Sequence, residues 1–169
     1  MALLEILTYP DPRLRETAKP VAAVDDAIRT IVENMAETMY AAPGVGLAAT
    51  QVGIPLRIFV IDTAAEGEPS QLRVFINPEV IESRGKHVWR EGCLSFPDVS
   101  EDVKRAEWVR ARALDKEGNG FELEAEGLLA VAIQHETDHL NGVLMIDQVS
   151  PFARRRIGRK LAARPRVSA

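Results

Sequence analysis

The sequence predicts an α+β fold, and three observations carry that prediction. Ile28, Ile31, Val32, Met35 and Met39 recur at the three-to-four-residue spacing of an amphipathic helix. Short runs rich in branched residues then cluster between residues 57 and 125 instead of alternating with helices, as a βαβ protein would require. A second helical stretch follows them and carries His135-Glu136-Thr137-Asp138-His139.

Taken in order, Asp25 or Asp26 can cap the first helix, which Pro43 and Gly44 end. Residues 44–51, Gly-Val-Gly-Leu-Ala-Ala-Thr-Gln, are expected to form a compact loop of small residues. Residues 57–62 and 72–77 read as strands, and 79–90 as extended chain with Gly85 at a turn or bulge. Residues 106–114 and 121–125 flank Lys116-Glu117-Gly118-Asn119-Gly120, a hairpin signal. Gly127 opens a helix over 128–140 that stops near Asn141-Gly142. Pro151, after Ser150, sits where proline favours a helix start, and predicts a last helix over about 151–164. With no repeat, linker or low-complexity tract, residues 1–169 are expected to form a single domain.

Composition narrows the setting. The only cysteine, Cys93, has no internal disulfide partner, so it is an inert buried thiol, a reactive thiol or a metal ligand. A reducing compartment follows, and the start of the chain lacks the basic and apolar regions of a signal peptide. No run approaches the ~20 apolar residues of a membrane span, so a soluble cytoplasmic protein without a membrane partner is expected. The net charge of −4 is unevenly spread. Residues 151–169 hold Arg154, Arg155, Arg156, Arg159, Lys160, Arg164 and Arg166 and no acid. Such a tail suits an anionic partner such as nucleic acid; the alternative is a solvated helix drawn to the acidic body.

Two histidines four apart on a helix share one face and can hold one metal ion. Glu136, about 100° round the helix from His135, can reach water beside that ion. The alternative is a helix with two ordinary histidines. A third ligand decides between enzyme classes. The His-Glu-x-x-His-x-x-Gly-x-x-His pattern ends here on Met145, a poor ligand, and no glutamate follows Glu136, leaving only Asp147 downstream. The upstream candidates are His87, in a polar stretch typical of a surface histidine, and Cys93, for which a buried structural thiol is the alternative.

Three segments, residues 44–51, Glu91-Gly92-Cys93-Leu94-Ser95 and Gln134-His135-Glu136-Thr137-Asp138-His139, resemble the signature motifs of the bacterial peptide deformylases. The similarity runs from Pro10-Asp11-Pro12-Arg13-Leu14-Arg15 to the basic C-terminal stretch. Phe96 and Thr137 depart mildly from the family pattern, where a smaller aliphatic residue and a methionine are common. The resemblance implies antiparallel β-sheets around a central metal-binding helix, with an N-terminal helix and a C-terminal helix. It implies a metal-dependent hydrolase that removes the formyl group from N-formylmethionine on nascent polypeptides. Cys93, His135 and His139 would bind one divalent metal ion, Fe2+ in the cell, with Zn2+, Ni2+ or Co2+ able to replace it. Glu136 would be the general acid/base, and Gln51 with the Leu94 amide would stabilise the oxyanion. Val45 and Gly46 would hold substrate backbone. Leu128, Val131 and Ala132, on a helical stripe leading to His135, would floor a methionine pocket; ordinary core packing is the alternative. Glu91 and Arg105 are expected to form a supporting pair, and the basic helix to contact the ribosome near the exit tunnel.

Overall fold

The structure is a computed structural model and describes residues 2–162. Helix α1 spans Asp26–Ala41, and the Asp25 carboxylate accepts from the Ile28 N–H at 3.0 Å, satisfying a donor that the first turn leaves free. Its apolar stripe, Ile28, Val32, Met35 and Met39, is buried against the first two strands of a sheet, β1 (Gly46–Ala48) and β2 (Ile58–Ile61). The stretch expected as a loop over 44–51 is therefore part strand, followed by a one-turn helix at Ala49–Val52.

Strand β3 runs unbroken over Arg73–Arg84, where the sequence suggests two pieces. Pro78 lacks a backbone donor, and register shifts between Ile76 and Glu79 and between Val80 and Glu82 accommodate it. Asn77 adopts φ +51° beside this bulge, and its side-chain amide makes two hydrogen bonds to the Val21 backbone, at 2.8 and 3.0 Å. Strands β4 (His87–Cys93) and β5 (Phe96–Arg105) form a separate two-stranded sheet. Strand β5 has no counterpart in the sequence reading. Its buried positions alternate, but they include Glu101 and Arg105, so burial and hydropathy do not coincide. Strands β6 (Trp108–Leu114) and β7 (Gly120–Glu126) make the expected hairpin, its turn held by the Asp115 carboxylate accepting from the N–H groups of Glu117 and Asn119.

The five-stranded sheet is antiparallel, in the order β1-β2-β3-β6-β7. Helix α2 (Gly127–Leu140) packs on it through Ala130, Ile133 and Leu140, in one core with Phe59, Phe75 and Val109. The β4–β5 sheet is hydrogen-bonded to α2 as well, so the helix is buried on more than one side. Helix α3 spans Pro151–Ala162, with the Ser150 hydroxyl accepting from the Ala153 N–H at 3.1 Å. Ala153 and Ile157 pack against Phe96, Val99 and Val103 of β5. The mixed α+β architecture matches the sequence prediction. Arg164, Arg166 and the expected end of the last helix lie outside the described residues. The five basic residues of α3 are exposed, and Arg156 is paired with Glu101, so the acidic body does hold part of this charge. Among the described residues, no helix is long and apolar enough to cross a membrane.

Candidate active site

Helix α2 presents His135 and His139 on one face, with their Nε2 atoms 3.2 Å apart. Strand β4 ends at Cys93, whose Sγ lies 3.3 Å from His139 Nε2. All three donor atoms fall within 4.8 Å of one another. Two nitrogens each ~2.0–2.1 Å from one tetrahedral ion stand about 3.4 Å apart, so the cluster fits a metal ion. The other candidates lie elsewhere. His87 rests against Trp89, Met145 is buried in the core beneath α3, and Asp147 is paired with Arg15.

Behind the Cys93–His135–His139 cluster lies a buried ion network. Glu91 Oε1 is 2.8 Å from His135 Nδ1, leaving Nε2 to face the cluster. Arg105 donates to both Glu91 oxygens, at 2.6 and 2.9 Å, and to Asp138 at 2.7 Å. Burial alone would raise the Glu91 carboxyl, but the hydrogen bonds from Arg105 and His135 outweigh it and hold the group at about 2. Burial would likewise lower the Arg105 guanidinium, and the two carboxylates raise it instead. This network ties the β4–β5 sheet to α2 beside the candidate donor cluster. The Glu91–Arg105 pair was expected from the sequence; Asp138 was not, though its i+3 spacing from His135 places it on a neighbouring face.

Glu136 is 4% exposed, and its Oε1 has no hydrogen-bond partner among the described residues. Burial is the main cause that pushes its carboxyl up to about 7, where a group can both take and give a proton near neutrality. Gly46 makes this placement possible: a Cβ there would come within 2.5 Å of Glu136 Oε2. A Cβ on Gly44 would likewise meet Leu94 Cδ1 at 2.7 Å. A side chain at either glycine would force Leu94 or Glu136 to shift, so the first glycine-rich segment lies close against the other two.

These residues line a groove of about 810 Å³. Val45, Gly46, Gln51, Cys93, Leu94, His135 and Glu136 all border it, as do Leu128, Val131 and Ala132. Val131 and Ala132 are buried, and Leu128 is exposed. Gln51 is buried, with Oε1 accepting from the Ala48 N–H at 2.9 Å and Nε2 donating to Ser95 Oγ at 3.0 Å. Phe96 also borders the groove, stacked on Tyr9 with ring centroids 5.0 Å apart. Thr137 turns its hydroxyl back to the Ile133 carbonyl. The structure thus brings every site residue predicted from the sequence into one place. It adds Asp138 and Ser95, the latter present in the second motif with no cue to its partner.

A thiol and two imidazoles converging on one point, a carboxyl poised near neutrality and an oriented amide along an open groove define the site of a hydrolase with a candidate metal centre. Comparison with known proteins narrows the class. A family model for polypeptide deformylase matches residues 3–155. A peptide deformylase of Alkalilimnicola ehrlichii is 58% identical over 161 residues, covering 95% of this chain and 90% of the relative. That of Pseudomonas aeruginosa is 54% identical over 170 residues, spanning 100% of each. Among solved structures, a peptide deformylase from Legionella pneumophila superimposes with a TM-score of 0.90 at 45% identity, over 97% of this chain and 100% of that one. One from Synechococcus elongatus, in complex with actinonin, gives 0.90 at 42% identity over 94% and 88%. The chain belongs to the polypeptide deformylase family and is a hydrolase acting on a formyl amide.

Proposed function

We propose that this enzyme removes the formyl group from N-formylmethionine at the start of newly made polypeptides, releasing formate, with residues 1–169 working as one catalytic domain. The observation that carries the reading is the convergence of Cys93, His135, Glu136 and Gln51 on one groove, with His139 completing the donor cluster beside Cys93 and His135. Cys93, His135 and His139 would hold one divalent ion, Fe2+ in the cell, with Zn2+, Ni2+ or Co2+ accepted by the same donors. When bound, such an ion supplies a water acidified from a pKa of ~15.7 towards ~7 and polarises a carbonyl.

Glu136 accepts the proton released as water attacks the formyl carbon. It then delivers that proton to the leaving amine nitrogen as the C–N bond breaks. Charge gathering on the formyl oxygen is met by Gln51 Nε2 and the Leu94 N–H. The methionine side chain rests on Leu128, Val131 and Ala132. Peptide backbone lies beside Val45 and Gly46 at the edge of β1, a mode of binding that tolerates many sequences. Actinonin is expected to occupy the same groove.

The five exposed bases described on α3 suit an RNA-rich surface, and ribosome docking near the exit tunnel, in the cytoplasm, is the partner reading. Removing residues 151–169 should weaken ribosome binding in a salt-sensitive way, most at low salt, while sparing turnover of small peptides. Iron beside Cys93 exposes metal and thiol to oxidation, so activity should decay in air and persist with nickel or cobalt. The deciding experiment incubates anaerobically prepared protein of known metal content with formyl-Met peptides. Formate release is expected. Cleavage of internal peptide bonds, or no reaction with metal bound, would overturn the reading.

A further inference from the structure

The amide of Gln51 has little freedom to choose its orientation. Its Oε1 accepts from the Ala48 backbone N–H, so the nitrogen must be the end that faces the site. Nε2 carries two hydrogens. One is donated to Ser95 Oγ at 3.0 Å, and the nitrogen also stands 3.7 Å from Cys93 Sγ. Because the amide is planar, fixing its oxygen and one N–H fixes the direction of the second. Ser95 is fully buried, so its hydroxyl has no surface water to share and is committed to protein partners.

We propose that Ser95 is a positioning residue for Gln51: its hydroxyl takes the N–H that faces away from the reacting atoms and leaves the other aimed at the Cys93 sulfur and the oxygen of the substrate. The idea rests on the role given to Gln51 above. It also explains how one amide can serve a donor's role without swinging towards the backbone.

The spacing of the two residues does not depend on this bond. Leu7 N–H donates to the Gln51 carbonyl at 2.7 Å, and Tyr9 N–H to the Ser95 carbonyl at 2.8 Å. One extended segment therefore straps both backbones together. Removing the hydroxyl should loosen the amide alone, and misplacement of a catalytic group by about 1 Å can cost up to ~10²-fold in rate.

The test uses the full-length, nickel-loaded enzyme and a formyl-Met peptide. It compares wild type, Ser95→Ala, Ser95→Cys, Gln51→Leu and Ser95→Ala/Gln51→Leu, with metal content and Tm measured for each. Ser95→Ala should lose about tenfold or more in kcat, with KM and metal content little changed. Ser95→Cys should remain slow: it restores the side-chain volume, and so repairs a packing defect, but offers only a weak sulfur acceptor in place of the hydroxyl. The double variant should be no slower than Gln51→Leu. Wild-type kcat in Ser95→Ala, recovery in Ser95→Cys, or fully multiplicative losses in the double variant would each overturn the proposal. Wild-type kcat in Gln51→Leu would remove the role of Gln51 itself, and this inference with it.

Discussion

Behind the histidines, Arg105 lies between Glu91 and Asp138 with its side chain 5% exposed. On the open face of the five-stranded sheet, Arg112 meets Glu79 at 3.0 Å with side chains 54% and 56% exposed. The chemistry of the two pairs is the same, and their distances are similar. What separates them is water. An exposed pair gives up hydration and side-chain freedom for a weak attraction, whereas breaking a buried pair strands a charge that nothing else can solvate. The outer face can therefore lose its ladder of Glu79, Glu82, Arg110 and Arg112 piecemeal, while the site cannot lose one member of its network quietly.

Four measurements sharpen this contrast. Arg105→Ala leaves Glu91 buried and unpaired, and should cost about 3–5 kcal/mol of stability and reduce metal retention, read by denaturant unfolding and metal analysis. Glu91→Ala should show the same loss of metal, because His135 loses the oxygen that orients its ring. Asp138 is partly solvated, so Asp138→Asn should cost only about 1–2 kcal/mol and leave metal binding largely intact. Arg112→Ala should change stability by less than about 1 kcal/mol and leave turnover untouched. An Arg112 variant as damaging as the Arg105 variant would break the comparison.

A separate effect, confined to acid pH, concerns a third carboxylate. Burial would raise Asp62, but hydrogen bonds from Tyr40, Ser70 and the Ala64 and Gln71 amides hold it at about 2, below its ordinary 3.8. A depressed carboxylate stabilises the fold above its unfolded value. That contribution should be complete above about pH 4 and fade as pH falls towards 2. Asp62→Asn should flatten acid unfolding in that window.

Elements governed by local chemistry were legible in the sequence. The Asp25 cap, the Asp115–Asn119 turn, the start of α2 at Gly127 and that of α3 at Pro151 all depend on neighbours within a few residues. Strand β5 escaped because Glu101 and Arg105 occupy inward positions, and their partners Arg156 and Glu91 lie 55 and 14 residues away. The two stretches read on either side of Pro78 form one strand because a bulge accommodates the proline, and the Asn77–Val21 contacts beside it join residues 56 apart in the chain. The site followed the same rule. The histidine spacing is local and readable, and the motif resemblance supplied Cys93 and Gln51. Ser95 and Asp138 draw their roles from residues that only folding brings near.

In the proposed mechanism Glu136, buried against Gly46 with its carboxyl pushed up to about 7, moves the proton in formyl hydrolysis. The most direct test is formate release by Glu136→Gln, loaded with nickel to the same occupancy as wild type. The variant should bind metal and peptide normally and lose ~10²–10⁴-fold in kcat. Wild-type turnover in a fully loaded Glu136→Gln enzyme would contradict the account.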